Sequence, residues 1–259
     1  MIQIDEKCVG CGICVKDCIS QRLVVENGKA HATGPCLECG HCAALCPRNA
    51  VSILDYDMED IEESEFSLDP EELLCSIKSR RSIRSYKPMP VEQMKLDMLL
   101  QAGRYTATAK NSQDCHFVFV QKELDTLKEL VWKSIDEIEA AGFRNIPKEA
   151  LPYIDFNRRR KANPADDYLF RNAPVVLFIA SDYPLDAGLA AQNVELMANA
   201  LDLGALYNGF LARITDRNDA LKEWLGIPQK NIHACMLLGY PNVRYLRTAP
   251  RKKANVSWK

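Results

Sequence analysis

The spacing of apolar positions changes character near residue 55. Before it, apolar residues are sparse and fall in short runs. Residues 2–4 and 51–54 predict two outer strands, and residues 23–26 and 29–32 predict a hairpin about Asn27-Gly28, a dipeptide that accepts the left-handed backbone of a tight turn. Beyond it, helical periods alternate with continuous apolar runs. Asp69-Pro70-Glu71-Glu72 predicts a helix start, with an aspartate cap and proline at the first helical position. Leu73, Leu74 and Ile77 form its expected buried stripe. Residues 91–102 and 122–141 predict two further helices, the second with Leu124, Leu127, Leu130, Val131, Ile135 and Ile138 on one side. An Ala-rich helix is expected over 185–203, stopping at Gly204, and another over 216–225 with Thr215 as its cap. Residues 115–120, 174–181 and 233–239 read as buried strands. This mixture predicts an α+β or α/β sheet-and-helix domain over 71–259, after a small domain at 1–58 and a linker at 59–70. The ten carboxylates of residues 55–72 read as a solvated linker, the alternative being a docking surface for a basic partner.

The small domain is rich in cysteine. Eight of the eleven cysteines form two copies of one pattern, Cys8-x2-Cys11-x2-Cys14-x3-Cys18 and Cys36-x2-Cys39-x2-Cys42-x3-Cys46, the second followed by Pro47. Three thiolates at this spacing can wrap one corner of a cubane while the fourth reaches elsewhere; in two-cluster ferredoxins the fourth ligates the other cluster. The expected sets are Cys8, Cys11, Cys14 and Cys46 for one [4Fe–4S] centre, and Cys36, Cys39, Cys42 and Cys18 for the second. Zinc sites show two CxxC pairs without a third cysteine in each run, and disulfides need an oxidising compartment, whereas residues 1–7 carry no signal-peptide core. Ile19 stands where the first motif would often have proline. With so few apolar residues, the domain would depend on its clusters to stay folded. His41, inside the second loop, is expected to donate to sulfur. Cys75, Cys115 and Cys235 share no spacing and read as buried thiols.

At 259 residues, 47% hydrophobic and 26% charged, the chain has an ordinary soluble composition and room for two domains. A net charge of −2 argues against a sequence-independent grip on nucleic acid. The longest strongly apolar run, 173–180, is far short of a membrane helix. Cysteine clusters without an export signal point to a reducing cytoplasm.

The remaining chemistry is cationic. Ser79-Arg80-Arg81-Ser82-Ile83-Arg84 places three guanidinium forks and hydroxyls beside an expected helix end, a pattern suited to a phosphate monoester. Downstream stand Thr108-Ala109-Lys110-Asn111-Ser112-Gln113, Leu206-Tyr207-Asn208-Gly209-Phe210 and Arg247-Thr248-Ala249-Pro250-Arg251-Lys252. Together these segments resemble the nitroreductase family of FMN flavoproteins, and with the cysteine runs the chain is similar to members carrying an N-terminal bacterial-type ferredoxin domain. The resemblance implies a ferredoxin-like iron–sulfur domain followed by a nitroreductase-like domain, FMN beside two [4Fe–4S] clusters, and a homodimer with FMN at the subunit interface. By position, Arg80, Arg81, Ser82 and Arg84 match the segment that holds the ribityl phosphate and the pyrimidine side of the ring. Arg251, with Lys252 or Lys253, matches basic residues that close on the same phosphate. Thr108, Asn111 and Gln113 match a loop that reaches the flavin from the partner subunit. Asn208 and Gly209 match the turn beside the N5–O4 edge, where a backbone N–H can bond N5 and glycine permits close approach. Many relatives continue Gln-Pro-Trp where this chain has Gln113-Asp114-Cys115, a departure that bears on local packing and substrate choice.

In such a family the flavin does the chemistry, so no catalytic side chain is expected. Tyr153, Phe156, Tyr168 and Phe170 fall in a stretch that resembles a substrate lid, residues 141–170; each either stacks on an aromatic substrate or packs in the core. No GxGxxG follows a strand and there is no Walker A, which argues against a Rossmann site for NAD. The expected activity passes electrons from the clusters to FMN and on to an oxidised organic acceptor such as a nitroaromatic or quinone, with ferredoxin or NAD(P)H as donor. Two alternatives stand beside it: an electron-transfer or redox-sensing module, and another reductive flavoenzyme, dehalogenase-like, on the same fold.

Overall fold

A computed structural model describes residues 1–62, 67–140 and 148–259. The chain divides into two compact units, Met1–Ser67 with Lys110–Ser112, and Leu68–Ala109 with Gln113–Lys259.

The first unit runs β1 (Ile2–Ile4), α1 (Ile13–Asp17), β2 (Leu23–Glu26), β3 (Lys29–Ala32), α2 (His41–Ala44) and β4 (Val51–Ile53). β1 pairs antiparallel with β4, and β2 with β3. Asn27 and Gly28 take φ of 51° and 76°, the positive values a two-residue hairpin turn demands. Each cysteine loop enters its helix at a left-handed glycine, Gly12 before α1 and Gly40 before α2, a step that a side chain would resist. The buried apolar residues are Leu23, Ala30, Ala43, Ala50, Val51 and Ile53, four of them (Leu23, Ala30, Ala43 and Val51) clustered with Cys14 and Cys42. A core this small does not offset the entropy of ordering the chain.

The second unit runs α3 (Pro70–Ser79), α4 (Gln93–Arg104), β5 (His116–Val120), α5 (Leu124–Ala140), α6 (Leu151–Ala162), β6 (Val175–Ser181), α7 (Pro184–Ala200), β7 (Gly204–Tyr207), α8 (Gly209–Asp216), α9 (Asp219–Trp224) and β8 (Asn231–Gly239). Its sheet has the order β5-β6-β8-β7 and is antiparallel at every strand pairing. The class is therefore α+β, which corrects the α/β expectation for this domain. β6 and β7 do point the same way, but β8 lies between them. Alternate residues of β6 serve two cores. Val175, Leu177 and Ile179 pack with residues of α4 and α7, while Val176, Phe178 and Ala180 pack with residues of α5, α6 and α8. A strand covered on both faces has no polar side, so all of β6 is buried and its sequence shows no alternation.

Two helix expectations fail in detail. Leu73, Leu74 and Ile77 on α3 are 38%, 51% and 44% exposed, so among the described residues the stripe is only partly covered. Cys75, on the same helix, is exposed as well, and Cys115 is half-buried; Cys235 is buried as expected. The start of α3 does follow the cap signal, with Asp69 Oδ1 accepting from Glu71 N at 2.8 Å. The helix expected over 216–225 is replaced by two, because Asn208 caps α8 at Leu211 N and Asn218 caps α9 at Leu221 N. Thr215 lies inside α8 and is buried, its hydroxyl without a partner. α6 and β7 fall where the periodicity predicts neither element, and residues 141–147 of the lid stretch lie outside the described residues. Among the described residues no helix is long and apolar enough to cross a membrane.

Candidate functional site

The eight cysteines of the first unit surround two hollows. Cys8, Cys11, Cys14 and Cys46 line one, with about 360 Å³ of empty space. Cys18, Cys36, Cys39 and Cys42 line the other, with about 370 Å³, and Cys14 borders it too. Both volumes include space open to solvent. The grouping is crosswise: the fourth cysteine of each run sits with the trio of the other. Four backbone N–H groups donate to sulfur, from Ala30 to Cys8 and Arg22 to Cys18 at 3.4 Å, from Glu38 to Cys36 at 3.2 Å and from Ala50 to Cys46 at 3.3 Å. Such donors favour the thiolate form, and the Ala30 N–H is the main reason the Cys8 thiol is held below its ordinary pKa. Burial pushes the Cys14 and Cys42 thiols the other way. Among the described residues no group of three or more His, Cys, Asp or Glu is gathered tightly enough for a single metal ion. His41 does not donate to sulfur through Nδ1, which meets Asp17 Oδ2 at 2.8 Å.

In the second unit, residues 80–86 dock along β7. Ile83 N donates to Ala205 O at 3.0 Å, and Ser82 forms a parallel bridge with Ala205. The buried Tyr86 hydroxyl lies 2.9 Å from Ile83 O and 3.1 Å from Leu237 O, so it ties the segment to β8. Gly204 makes room for this, since a Cβ there would lie 2.4 Å from Ile83 Cγ1. The docking brings Arg84 to a cavity at the end of β7, where Asn208 and Gly209 open α8. Asn208 is buried; its Oδ1 accepts from Leu211 N at 3.0 Å and its Nδ2 donates to Leu169 O at 2.7 Å. A Cβ on Gly209 would meet nothing within 4 Å, so bare backbone faces open space there. The cavity holds about 620 Å³ of empty space, some of it open to solvent.

Arg84, Asn208 and Gly209 are thus brought together, whereas the other expected cofactor residues lie elsewhere. Arg80 Nη1 lies 3.0 Å from Glu195 Oε1 on α7, a carboxylate only 3% exposed. Burial raises the Glu195 pKa, and the Arg80 guanidinium opposes that shift. Arg81 donates to Lys78 O at 2.9 Å and to Arg247 O at 3.3 Å, tying its segment to the stretch that carries Arg251. Arg251 is itself exposed. Thr108 Oγ1 accepts from Gln113 N at 3.0 Å. Asn111 belongs to the first unit, where Nδ2 donates to Leu37 O and Glu38 O at 3.3 and 3.1 Å. Asp114, at the departure from the family pattern, accepts from Asp182 N at 2.6 Å, Ser181 Oγ at 3.0 Å and Lys230 Nζ at 3.3 Å. Of the four aromatic candidates, Tyr153 and Phe170 are core residues. Phe156 is also buried, but it stacks on Tyr168 at 5.1 Å and both border the cavity.

Three residues of interest escape the sequence reading. Glu195 carried a signal, being an acid set among Ala187, Ala191, Val194 and Ala198 on the buried face of α7. Arg171 and Arg213, which join Arg84 at the cavity, carried none.

The Nitroreductase family model matches residues 77–240. A protein of Methanothermobacter thermautotrophicus that carries the provisional name NADH dehydrogenase/NAD(P)H nitroreductase is 27% identical over 180 residues, covering 66% of this chain and 78% of that protein. A crystal structure of a Bacteroides fragilis nitroreductase with bound FMN has the same fold, with a TM-score of 0.58 at 22% identity over 72% of this chain and 97% of that one. An uncharacterized ferredoxin of Methanocaldococcus jannaschii is 43% identical over 53 residues, 18% of this chain and 69% of the ferredoxin.

Proposed function

This chain belongs to the nitroreductase family, and on that premise we propose that it is an FMN-dependent oxidoreductase whose two [4Fe–4S] clusters feed the flavin, for reduction of an oxidised organic acceptor such as a nitroaromatic or quinone. The observation that carries the reading is the convergence of Arg84, Asn208 and Gly209 on one cavity. Arg84 offers a donor fork to the pyrimidine side of the ring, and Gly209 offers backbone with no side chain in the way. Arg80, Arg81 and Ser82 lie on the same docked segment, and Arg81 is bonded to the stretch that bears Arg251. These residues suit a phosphate through charge-assisted hydrogen bonds. The pairing with Glu195 fixes the Arg80 guanidinium in place before any phosphate arrives.

The cysteine sets fit cubane clusters better than lone cations, since each surrounds a hollow and the donors are all sulfur. When bound, FMN and the clusters would supply the exchange between single electrons and electron pairs. The protein's part is to hold the ring, to present backbone N–H groups near Gly209 to its N5–O4 edge, and to keep water away with Phe156 and Tyr168. In a homodimer, Thr108 and Gln113 would reach the partner's flavin. Asn111 would have to release Leu37 and Glu38 to join them. A chain with its own clusters suits a one-electron donor such as reduced ferredoxin.

Anaerobic purification with iron, sulfide and flavin counted should give about eight irons and one FMN per chain. Stopped-flow mixing should show flavin reduction by ferredoxin that disappears once the clusters are removed. Rapid flavin reduction by NADPH in cluster-free protein would sink the proposed route.

A further inference from the structure

Three arginines border the cavity at the start of α8, and no acid on its walls answers them. Arg84, Arg171 and Arg213 line it and no Asp or Glu does. Among the described residues none of the three takes part in an ion pair. Nearby cations are treated differently: Lys128 pairs with Asp167 at 2.9 Å, Arg159 with Asp166 at 2.8 Å and Lys161 with Asp136 at 2.8 Å. Solvated surface arginines are common, but these three share one concave site.

The placement of Arg171 is built in. Arg171 and Asn172 have φ of 56° and 52°, a left-handed conformation that side-chain-bearing residues keep only where surrounding bonds enforce it. Asp167 supplies those bonds, with Oδ1 accepting from Phe170 N at 3.1 Å and Oδ2 from Asn172 N at 3.2 Å. The Arg171 guanidinium carbon then sits 3.6 Å from the centre of the Tyr168 ring. Phe156, Tyr168 and Phe210 give the cavity flat walls. Phe156 and the Arg159 guanidinium also lie against the Tyr168 ring, so a planar ring would pack on Phe210 while an anionic group on it meets the Arg171 guanidinium.

We propose that the acceptor of this enzyme is a nitroaromatic or quinone that carries a carboxylate, its charge bound by Arg171 with Arg213 and its ring packed beside Phe210. The inference rests on the flavin reading, which assigns Arg84 to the cofactor and leaves the other two guanidinium groups for substrate. Because the partners are partly exposed, the charge preference should weaken with salt.

Oxidised FMN holoenzyme titrated with 4-nitrobenzoate and with 4-nitrobenzamide, followed through the flavin absorbance, tests it. At about 20 mM salt the anion should bind at least about tenfold more tightly, a difference of about 1.4 kcal/mol, and the advantage should shrink at about 500 mM. Arg171→Gln should cut the ratio to about twofold, Arg171→Lys should keep most of it, and Arg213→Gln should reduce it in part. If Arg171→Gln fails to fold, Arg213→Gln and the salt series decide. Flavin-loaded protein that binds both probes equally, or an advantage that survives both glutamine variants, overturns the anionic acceptor and leaves the flavin reading standing. Purified chain that takes up no FMN overturns both.

Discussion

Replacing Gly204 with alanine tests how residues 80–86 are seated. The added Cβ would lie 2.4 Å from Ile83 Cγ1, 2.7 Å from its Cβ and 3.0 Å from its Cγ2, where ordinary carbon contacts lie at about 3.5–4.0 Å. A rotamer change at Ile83 does not relieve a clash with its own Cβ, so the backbone must retreat by about an ångström. That backbone is held by the 3.0 Å bond from Ile83 N to Ala205 O. Overpacking of this kind costs about 1–3 kcal/mol, and the rigidity of the contact puts Gly204→Ala toward about 2–3. At about 2–4 °C per kcal/mol for a unit of this size, the second unit's melting transition should fall by about 4–12 °C in calorimetry of the full chain. FMN should also bind more weakly, because Arg84 rides on the displaced segment. Ile83→Ala removes Cγ1 and Cγ2 and leaves only the 2.7 Å contact with Cβ, so the double variant should be less destabilised than the two single changes added together, with a coupling of about 0.5–3 kcal/mol. A melting point within about 1 °C of the parent, or strict additivity of the two changes, would refute the reasoning.

Four further outcomes are expected. If the clusters are ligated crosswise, Cys46→Ser should lower iron to about four per chain. Adding Cys8→Ser should remove little more, while adding Cys42→Ser should strip the remainder. Asn208→Ala removes the cap of α8 and orphans the Leu169 carbonyl, and should cost about 2–3 kcal/mol in urea unfolding; Asn208→Asp keeps the cap but sets a buried carboxylate oxygen against the Leu169 carbonyl, and should cost at least as much. Burial pushes the Asp114 carboxyl upward, but the Asp182 N–H, the Ser181 hydroxyl and Lys230 outweigh it and hold its pKa below 3.8. Its stabilisation is therefore present above pH 3.8 and lost as pH falls through the lower folded value, so the melting-point gap between parent and Asp114→Asn should close in acid. Glu195 behaves in the opposite sense: burial raises its pKa above 4.5, so what its protonated form contributes is present below that pH and lost as pH rises through the folded value. Relative to Glu195→Gln, the parent should lose melting temperature over that rise, and a flat difference between pH 4 and 7 would show the carboxyl titrating normally.

Local signals suffice where one short stretch determines its own geometry. Asn27-Gly28 made its hairpin, Asp69 capped α3, and the apolar run of β6 became a central strand, because backbone preference and burial agree at those positions. The buried stripe assigned to Leu73, Leu74 and Ile77 failed since periodicity reports a face able to be covered, not that one chain covers it. Thr215 and Asn218 are both capping residue types, and only the observed hydrogen bond to Leu221 N distinguishes them. The candidate site shows the same division. The cysteine spacing named both sets, and Arg84, Asn208 and Gly209 were named through motifs. Arg171 and Arg213 sit in unremarkable stretches far apart in sequence, and only the docking of α8 beside the turn at Arg171 makes them neighbours.

The position of β8 has a consequence for how the protein is made. It is made after the other three strands of its sheet, yet it lies between β6 and β7 and bonds to both. Until residues 231–239 leave the ribosome, wholly buried β6 has one edge without a partner and β7 has no strand to join. Unpaired apolar edges recruit other chains. A nascent or truncated chain that stops short of β8 should therefore aggregate rather than wait half-folded, and ribosome-stalled chains ending before and after residue 239, compared for chaperone binding, would reveal that dependence.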